Sequence, residues 1–162
     1  MVAFPTDTVY GLAALPSAAA RIYAAKDRPG DKQLIAMAAE AGAFEAVVRF
    51  SERARRLAAR HWPGPLTIVL PTVSGDPPTL GVRVPDHRLA RDLLRAVGEL
   101  VLTTSANRSG EPPALEAAQV RLPGVAAVLD GGPAGGGQPS AVVAVEGGRM
   151  RVIRPGRVRL RG

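Results

Sequence analysis

The hydrophobic pattern of the chain changes repeatedly between the spacing of strands and the spacing of helices. Residues 66–70 are apolar toward both faces and lie between prolines, which predicts a buried central strand. In the following strand Val82 and Val84 fall on one face and Arg83 on the other. Residues 89–97 carry leucine and valine at helical spacing. This alternation predicts an α/β fold, or an α+β fold with a large mixed sheet and flanking helices.

The remaining segments extend this pattern. Further strands are predicted at residues 1–4, 34–37, 100–102, 141–145 and 149–153. Helices are predicted between Ser17 and Pro29, at residues 43–50, from Ser51 to about His61, and near residues 115–120. N-terminal helix caps are expected at Ser17, Ser51 and Asp86, a helix end at Gly98, and a hairpin at Gly147-Gly148. Because there is no internal repeat and no long linker, we expect a single domain over residues 1–162.

Composition narrows the class of protein. The chain has 162 residues and no cysteine, which excludes a disulfide scaffold, thiol catalysis and zinc-thiolate sites. It has no apolar run of membrane-spanning length and no signal-peptide pattern at its N-terminus. We therefore expect a soluble, cytoplasmic protein that does not bind a membrane.

The charge of the chain indicates an anionic partner. The net charge of +7 comes from 21 basic residues, all of them arginine except Lys26 and Lys32. Guanidinium groups suit phosphate and carboxylate ligands. The basic and interleaved aromatic pattern of single-strand nucleic-acid binders is weak, because Phe, Tyr and Trp total six.

Several standard chemistries do not fit. The sequence contains no P-loop pattern, and the glycine-rich stretch 131–140 lacks the spacing, the lysine and the following helix that a nucleotide cradle needs. We expect it to be a flexible loop. The two histidines, His61 and His87, argue against a histidine-based metal site, and no G-x-S-x-G elbow supports a serine triad.

Polar or cationic residues recur at the predicted strand ends. They are Thr6, Thr8, Arg83, Thr104, Ser105, Asn107 and Ser140. Such ends converge on a crevice in open α/β sheets. Lys26, Arg28 and Lys32 surround a Pro29-Gly30 turn, which fits either a solvated helix end or a site for a polyphosphate. Together these residues predict a hydroxyl- and cation-lined pocket that binds and orients a ligand and contains no obvious nucleophile.

Seven motifs carry a resemblance to a known family. They are "FPTDTVYGL", "KDRPGDKQLI", "HWPGPLTIVLP", "GVRVPDH", "TTSANRSGEPP", "PSAVV" and "VIRPG". In this order, from Phe4 to about Gly156, they resemble the YrdC family of threonylcarbamoyl-AMP synthases. The resemblance implies a twisted, mixed sheet with a concave basic cleft. It also implies the formation of threonylcarbamoyl-AMP and pyrophosphate from L-threonine, bicarbonate and ATP, for the t6A modification of tRNA.

The resemblance also assigns roles to residues. At the ATP phosphates it implies Lys26 and Arg28, a K-x-R pair that would act in catalysis, and near the nucleotide it implies Lys32, Thr79, Asn107 and Arg154. For threonine it implies Thr8, Arg83, Ser105 and Ser140, with Arg83 as the partner of the carboxylate. Mg²⁺ is expected with ATP, without metal ligands from protein side chains. Proteins that transfer the product to tRNA are the expected downstream partners.

The chain departs from the family pattern at a few positions. The segment before Lys26 is about three residues shorter than in many relatives, Met37 stands where some longer relatives have a histidine, and Leu115 replaces a hydroxyl residue. We expect the single-domain form of the family, without the C-terminal domain of its longer members. Any closure would then come from local loops such as residues 131–137.

Two other functions remain open on the sequence. Residues 149–162 hold six arginines, which fits either a solvated strand edge or a dock for tRNA or double-stranded RNA. The first alternative is therefore a YrdC-like RNA-binding module without synthase activity. The second is a carbamoyl-transfer domain of a hydrogenase-maturation protein, although such domains lie within much longer chains.

Overall fold

A nine-stranded mixed sheet is the centre of the computed structural model, which describes residues 1–27, 29–30, 32–158 and 160. The strands are β1 Val2–Phe4, β2 Gly11–Ala14, β3 Ile35–Met37, β4 Leu66–Pro71, β5 Thr79–Arg83, β6 Val101–Ser105, β7 Ala127–Val128, β8 Ala141–Glu146 and β9 Arg149–Arg154. The α-helices are α1 Ala19–Lys26, α2 Glu52–His61 and α3 Arg88–Val97. Short 3₁₀ helices lie at Pro16–Ala18, Ala41–Phe44 and Ala117–Gln119.

The strands follow the order β7-β1-β2-β6-β3-β5-β4-β8-β9 across the sheet. The pairs β1–β7, β3–β5 and β4–β8 are parallel, and the other neighbouring pairs are antiparallel. The predicted α/β class with a mixed sheet is thereby confirmed. No helix in the described part of the chain is long and apolar enough to cross a membrane.

One face of the sheet is covered by α1 and α2. In β4, Leu66, Ile68 and Leu70 are fully buried on this face, where they pack with α2. Ile68 lies opposite Val82 of β5 in the antiparallel register. This is the alternation that the apolar run and the Val-Arg-Val pattern predicted.

The other face is covered only in part, by α3. Leu94 of α3 packs in a core with Phe4, Ala13, Met37 and Val101. Several strand residues beyond this core on the same face are polar or small. They include Thr67, Gly81, Arg83, Thr103 and Ser105. The part of this face that α3 leaves uncovered is the floor of a cleft.

Two strands, β2 and β7, were not predicted, and one predicted helix is wrong. Strand β2 pairs with both β1 and β6. The predicted helix at 43–50 is a 3₁₀ helix, Ala41–Phe44, followed by extended chain. Val48 forms a bridge with Thr72, and the Arg49 N–H donates to the Pro71 carbonyl at 2.8 Å. Pairing with the end of β4 satisfies backbone groups that a helix would otherwise have bonded internally.

The predicted helix ends are only partly confirmed. Ser51 caps α2, because its hydroxyl accepts from the Ala54 N–H at 3.3 Å, and Gly98 ends α3 in the left-handed region at φ 73°. Ser17 and Asp86 are not caps. Ser17 lies inside a 3₁₀ helix, and the Asp86 N–H instead donates to a carboxylate of the neighbouring loop.

The two serines give a matched test of the capping assignment. We expect Ser51→Ala to lower the free energy of unfolding by about 1 kcal/mol, because it removes a side-chain acceptor from the first turn of α2. Ser17→Ala should change it by less than about 0.5 kcal/mol, because no cap is lost there. Urea denaturation measures both values. Equal losses in the two variants would contradict the assignment.

Candidate functional site

Seven of the ten predicted site residues line one cleft on the open face of the sheet. It has a volume of about 580 Å³. Its lining includes Thr8, Thr79, Arg83, Ser105, Asn107, Ser140 and Arg154, all of which the sequence singled out. They come from both halves of the chain because β4, β5 and β6 lie near the middle of the sheet and β8 pairs with β4.

Arg83 is the most constrained cation of the cleft. Its side chain is 3% exposed. Its Nε donates to the Gly64 carbonyl at 3.0 Å, its Nη1 to Thr8 Oγ1 at 3.1 Å, and its Nη2 to Asp7 Oδ1 at 2.6 Å. A guanidinium has five N–H hydrogens. Two of the five on Arg83 therefore have no partner among the described residues.

The carbonyl of Gly64 reaches Arg83 because the backbone of Gly64 lies close against that of His61. A Cβ at this position would lie 2.3 Å from the His61 carbonyl oxygen. The Gly64 N–H donates to the Val84 carbonyl at 2.9 Å, beside Arg83. Only glycine fits here, so Gly64, which follows Trp62-Pro63, is part of the support for the site.

The electrostatic balance of the cleft favours an anion. Burial lowers the pKa of Arg83, the ion pair with Asp7 opposes this, and the charge of Arg154 lowers it further. Partial burial also lowers the pKa of Arg154. Both guanidinium groups still carry charge near neutral pH. A negative group bound between them would relieve their repulsion and replace lost solvation.

Ser140 is held from two sides. Its hydroxyl oxygen lies 2.9 Å from Thr67 Oγ1, on the floor of the cleft. Arg154 Nη2 donates to the Ser140 carbonyl at 2.9 Å. Gly156 passes so close that a Cβ would lie 2.2 Å from the Ala141 nitrogen. The "PSAVV" and "VIRPG" motifs therefore contact each other, since Arg154 and Gly156 lie against Ser140 and Ala141.

Lys26 lies behind the cleft wall. It is in the last turn of α1 and is 1% exposed, so the solvated-helix-end interpretation is wrong for this residue. Its Nζ donates to the Ser105 carbonyl at 2.5 Å and also to the Asn107 carbonyl. The ammonium group thus fixes the backbone of two residues that line the cleft.

Asn107 presents an acceptor with no partner. Its Nδ2 donates to the carbonyls of Arg108 and Glu111 at 2.9 and 2.8 Å. Its Oδ1 is buried and has no hydrogen bond within the described residues. The two Nδ2 bonds fix the side chain of Asn107 at the cleft lining.

Of the other two cations of the predicted cluster, only Lys32 lies within the described residues. Lys32 is exposed, and its backbone N–H donates to the Pro29 carbonyl at 3.1 Å. Among described residues its neighbour Gln33 lines the cleft and Lys32 does not. Arg28 lies outside the described residues.

The glycine-rich stretch is tied down by backbone bonds, which differs from the flexible loop that we expected. Gly135 and Gly137 N–H groups donate to the carbonyls of Thr6 and Thr8 at 3.4 and 3.1 Å. Arg157 Nη1 donates to the carbonyls of Asp7 and Gly135 at 2.8 and 2.7 Å. This stretch therefore supports the Thr6–Thr8 loop. Its closure over a ligand stays a prediction.

Sequence reasoning missed the residues that hold the ligand-facing groups. Asp7, Gly64, Thr67 and Arg157 contact Arg83, Ser140 or the Thr6–Thr8 loop. Thr67 gave a usable signal, since it is a lone hydroxyl inside an apolar strand. No group of three His, Cys, Asp or Glu side chains suited to a metal ion occurs among the residues that the structure describes.

The fold and cleft define a ligand-binding α/β domain, and comparison identifies its family. Residues 1–156 match the sequence profile of the Sua5/YciO/YrdC family, described as "Telomere recombination". The chain therefore belongs to this family, as the motifs predicted. The match covers all the strands and helices described above.

Individual relatives agree with this assignment. The chain is 39% identical to the threonylcarbamoyl-AMP synthase of Bacillus subtilis, covering 96% of this chain and 49% of that protein. It is 39% identical to the threonylcarbamoyl-AMP synthase of Chromohalobacter salexigens, covering 91% and 87%. It superposes on the crystal structure of P. abyssi Sua5 complexed with L-threonine with a TM-score of 0.89 and 37% identity, covering 96% and 50%.

These relatives differ in length. The chain spans about half of the Bacillus subtilis and P. abyssi proteins and most of the Chromohalobacter salexigens protein. The domain that all of them share with this chain contains the sheet and the cleft.

The buried ion pair of the site can be tested against an exposed one. We expect Asp7→Ala to lower the free energy of unfolding by about 3–5 kcal/mol, because Arg83 would be left buried without its counter-ion. Glu45→Ala removes the partner of Arg55, where both side chains are more than half exposed, and should cost less than about 1 kcal/mol. Denaturant unfolding measures both. A small, equal loss in both variants would contradict the geometry.

Proposed function

We propose that this chain is a threonylcarbamoyl-AMP synthase. It joins L-threonine, bicarbonate and ATP into threonylcarbamoyl-AMP and releases pyrophosphate. The observation that carries the proposal is that one cleft contains two guanidinium groups, that of Arg154 and the buried one of Arg83, which has two N–H hydrogens without a partner among the described residues. The named activity of the relatives supports it.

The amino acid would bind at the Arg83 side of the cleft. Its carboxylate takes the two remaining N–H hydrogens of Arg83, because a guanidinium fork matches a carboxylate. Thr8, Ser105 and Ser140 surround this position and supply hydroxyl groups. The P. abyssi relative was crystallised in complex with L-threonine, which supports this class of ligand.

The nucleotide would bind in the same cleft, toward Arg154 and Asn107. Arg154 lines the cleft with Arg83 and its charge acts on that of Arg83, so it would contribute positive charge toward the phosphates. Asn107 also lines the cleft and would contact the nucleotide. Thr79 lines the same cleft. Lys26, Arg28 and Lys32 are proposed at the phosphates, with Lys26 acting from behind the Ser105–Asn107 backbone that it fixes.

The chemistry needs positioning and positive charge more than a protein nucleophile. The unprotonated amine of threonine attacks the carbon of bicarbonate, a C–O bond of bicarbonate breaks, and water leaves with a proton from the amine, which gives N-carboxy-threonine. One oxygen of its new carboxylate then attacks the α-phosphorus of ATP. The bond from that phosphorus to the oxygen bridging the α- and β-phosphates breaks, and pyrophosphate leaves with the electron pair. Cations held in place before the reaction stabilise the charge that builds on the leaving group.

Mg²⁺ is proposed to arrive with ATP as part of the substrate. It would neutralise the phosphate charge that the arginines do not reach. The product would be consumed by proteins that transfer the threonylcarbamoyl group to tRNA in the t6A modification, and the reaction is proposed to take place in the cytoplasm.

Pyrophosphate release tests the reaction directly. The purified chain with MgATP should release pyrophosphate only when L-threonine and bicarbonate are both present. Leaving out either substrate is the internal control. Absence of release, together with salt-sensitive binding of double-stranded RNA, would instead indicate the RNA-binding alternative.

Two substitutions should separate the two halves of the site. Arg83→Lys keeps a charge beside Asp7 but loses the planar fork, so L-threonine affinity should fall at least about tenfold with ATP affinity nearly unchanged. Lys26→Met keeps the buried stem but loses the ammonium group, so ATP affinity should fall by a similar factor with threonine affinity less affected.

Isothermal titration of each ligand measures these effects. Arg56→Ala is the control, because the Arg56 side chain is exposed on the outer face of α2. Its ion pair within the described residues is with Glu52. This variant should leave both affinities unchanged. Equal losses for both ligands in the Arg83 and Lys26 variants would contradict the assignment.

A further inference from the structure

Arg157 connects two segments beside the Arg83 site. Its Nη1 donates to the carbonyls of Asp7 and Gly135 at 2.8 and 2.7 Å. Asp7 belongs to the loop between β1 and β2, and Gly135 belongs to the glycine-rich stretch. One guanidinium nitrogen therefore binds the backbone of two segments that are far apart in the sequence.

The Arg157 side chain is held at both of its ends. The preceding residue, Gly156, passes so close to the start of β8 that a Cβ would lie 2.2 Å from the Ala141 nitrogen. At the guanidinium end, a Cβ on Gly136 would lie 2.7 Å from Arg157 Nη1 and 3.0 Å from its Cδ. A side chain at position 136 would push the guanidinium aside, so the absence of one lets Arg157 reach both carbonyls.

The loop carbonyl that Arg157 binds belongs to the residue that pairs with Arg83. Asp7 Oδ1 accepts from Arg83 Nη2 at 2.6 Å and from the Asp86 N–H at 3.1 Å. These two bonds fix the carboxylate, and the Arg157 bond fixes the backbone from which the carboxylate extends. Because the aspartate side chain is short, a shift of its backbone would move the carboxylate by a similar distance.

We propose that Arg157 is a positioning residue for the amino-acid half of the cleft. It holds the Asp7 backbone so that the Asp7 carboxylate keeps Arg83 oriented toward the carboxylate of the ligand. This inference rests on the proposed binding of L-threonine. Arg157 is the first residue beyond the segment 1–156 that matches the family profile, and none of the seven motifs includes it.

Substitution of Arg157 tests this role without changing the cleft lining. Arg157→Ala removes both carbonyl contacts, and Arg157 is not among the residues that line the cleft. The dissociation constant for L-threonine should rise about tenfold, the value of roughly one net hydrogen bond. That for ATP should stay the same, which also shows that the variant is folded. Isothermal titration measures both constants.

Arg49→Ala is the matched control. Arg49 Nη2 also donates to a backbone carbonyl, that of Val73 at 3.1 Å, and Arg49 does not line the cleft. Its substitution removes the same charge and the same kind of contact, so both affinities should stay unchanged. An L-threonine affinity that falls equally in the Arg49 and Arg157 variants would contradict the inference.

A double-mutant cycle separates positioning from a general structural defect. Asp7→Asn keeps the size of the side chain but removes its charge, which weakens its bond to Arg83. If Arg157 acts through Asp7, Arg157→Ala should weaken L-threonine binding less in the Asp7→Asn background than in the unsubstituted chain. Equal losses in the two backgrounds would overturn the inference.

The Arg83 guanidinium gives a second readout that needs no ligand and no Asp7 variant. Its Nε–H resonance can be observed in ¹⁵N NMR spectra and assigned by its loss in Arg83→Lys. In Arg157→Ala this resonance should shift, because the bonds of the guanidinium to Asp7 are altered. In Arg49→Ala it should not shift. An unshifted resonance in Arg157→Ala would show that Arg157 does not position Arg83.

Salt dependence distinguishes positioning from simple attraction of the ligand by the Arg157 charge. The ratio of the L-threonine dissociation constants of Arg157→Ala and the unsubstituted chain should be the same at about 50 and about 500 mM NaCl, because salt screens distant exposed charges far more than hydrogen bonds within the fold. A ratio that falls to one at high salt would overturn the inference.

The failure of this inference differs from the failure of the proposed function. If the unsubstituted chain binds no L-threonine at all, the proposed function fails. If it binds L-threonine and Arg157→Ala binds it equally well, only the role of Arg157 is wrong.

Discussion

The site depends on one buried cation and the three segments that hold it. Arg83 donates hydrogen bonds to the Gly64 carbonyl, the Thr8 hydroxyl and the Asp7 carboxylate. Burying a guanidinium is costly unless such partners compensate. Among the described residues, three of the five N–H hydrogens of Arg83 have partners and two have none. In the proposed function, the ligand supplies the partners of those two.

The mixed sheet makes this arrangement possible. In strands β4, β5 and β6, apolar residues such as Ile68, Val82 and Leu102 lie under α1 and α2, whereas Thr67, Gly81 and Thr103 lie on the opposite face. Because α3 covers only part of that face, the remaining polar positions form a cleft floor rather than an unsatisfied core. The same alternation that builds the core therefore also delivers Arg83, Thr67 and Ser105 to the site.

Local pattern predicted the parts of the fold that have strong periodicity. Strand β4 and helix α3 carry unbroken apolar spacing, and both were found where expected. Strand β2 was missed because "GLAA" has no β-branched residue and its strand character comes from pairing with two neighbours. The helix expected at 43–50 was wrong for a related reason, since pairing of Val48 with Thr72 overrode local helical spacing.

The site was likewise predictable only where a residue gives a local signal. Residues that face a ligand, such as Arg83, stand out because polar groups at strand ends are unusual, whereas Asp7 and Gly64 look like ordinary loop residues until the topology places them against Arg83.

A crystal structure of the chain with L-threonine and a non-hydrolysable ATP analogue tests the central role of Arg83 most directly. The threonine carboxylate should lie within hydrogen-bond distance of Arg83 Nη1 and Nη2, with Asp7, Thr8 and Gly64 still bound to the same guanidinium. Threonine bound elsewhere, or held in the cleft without contact to Arg83, would contradict that role.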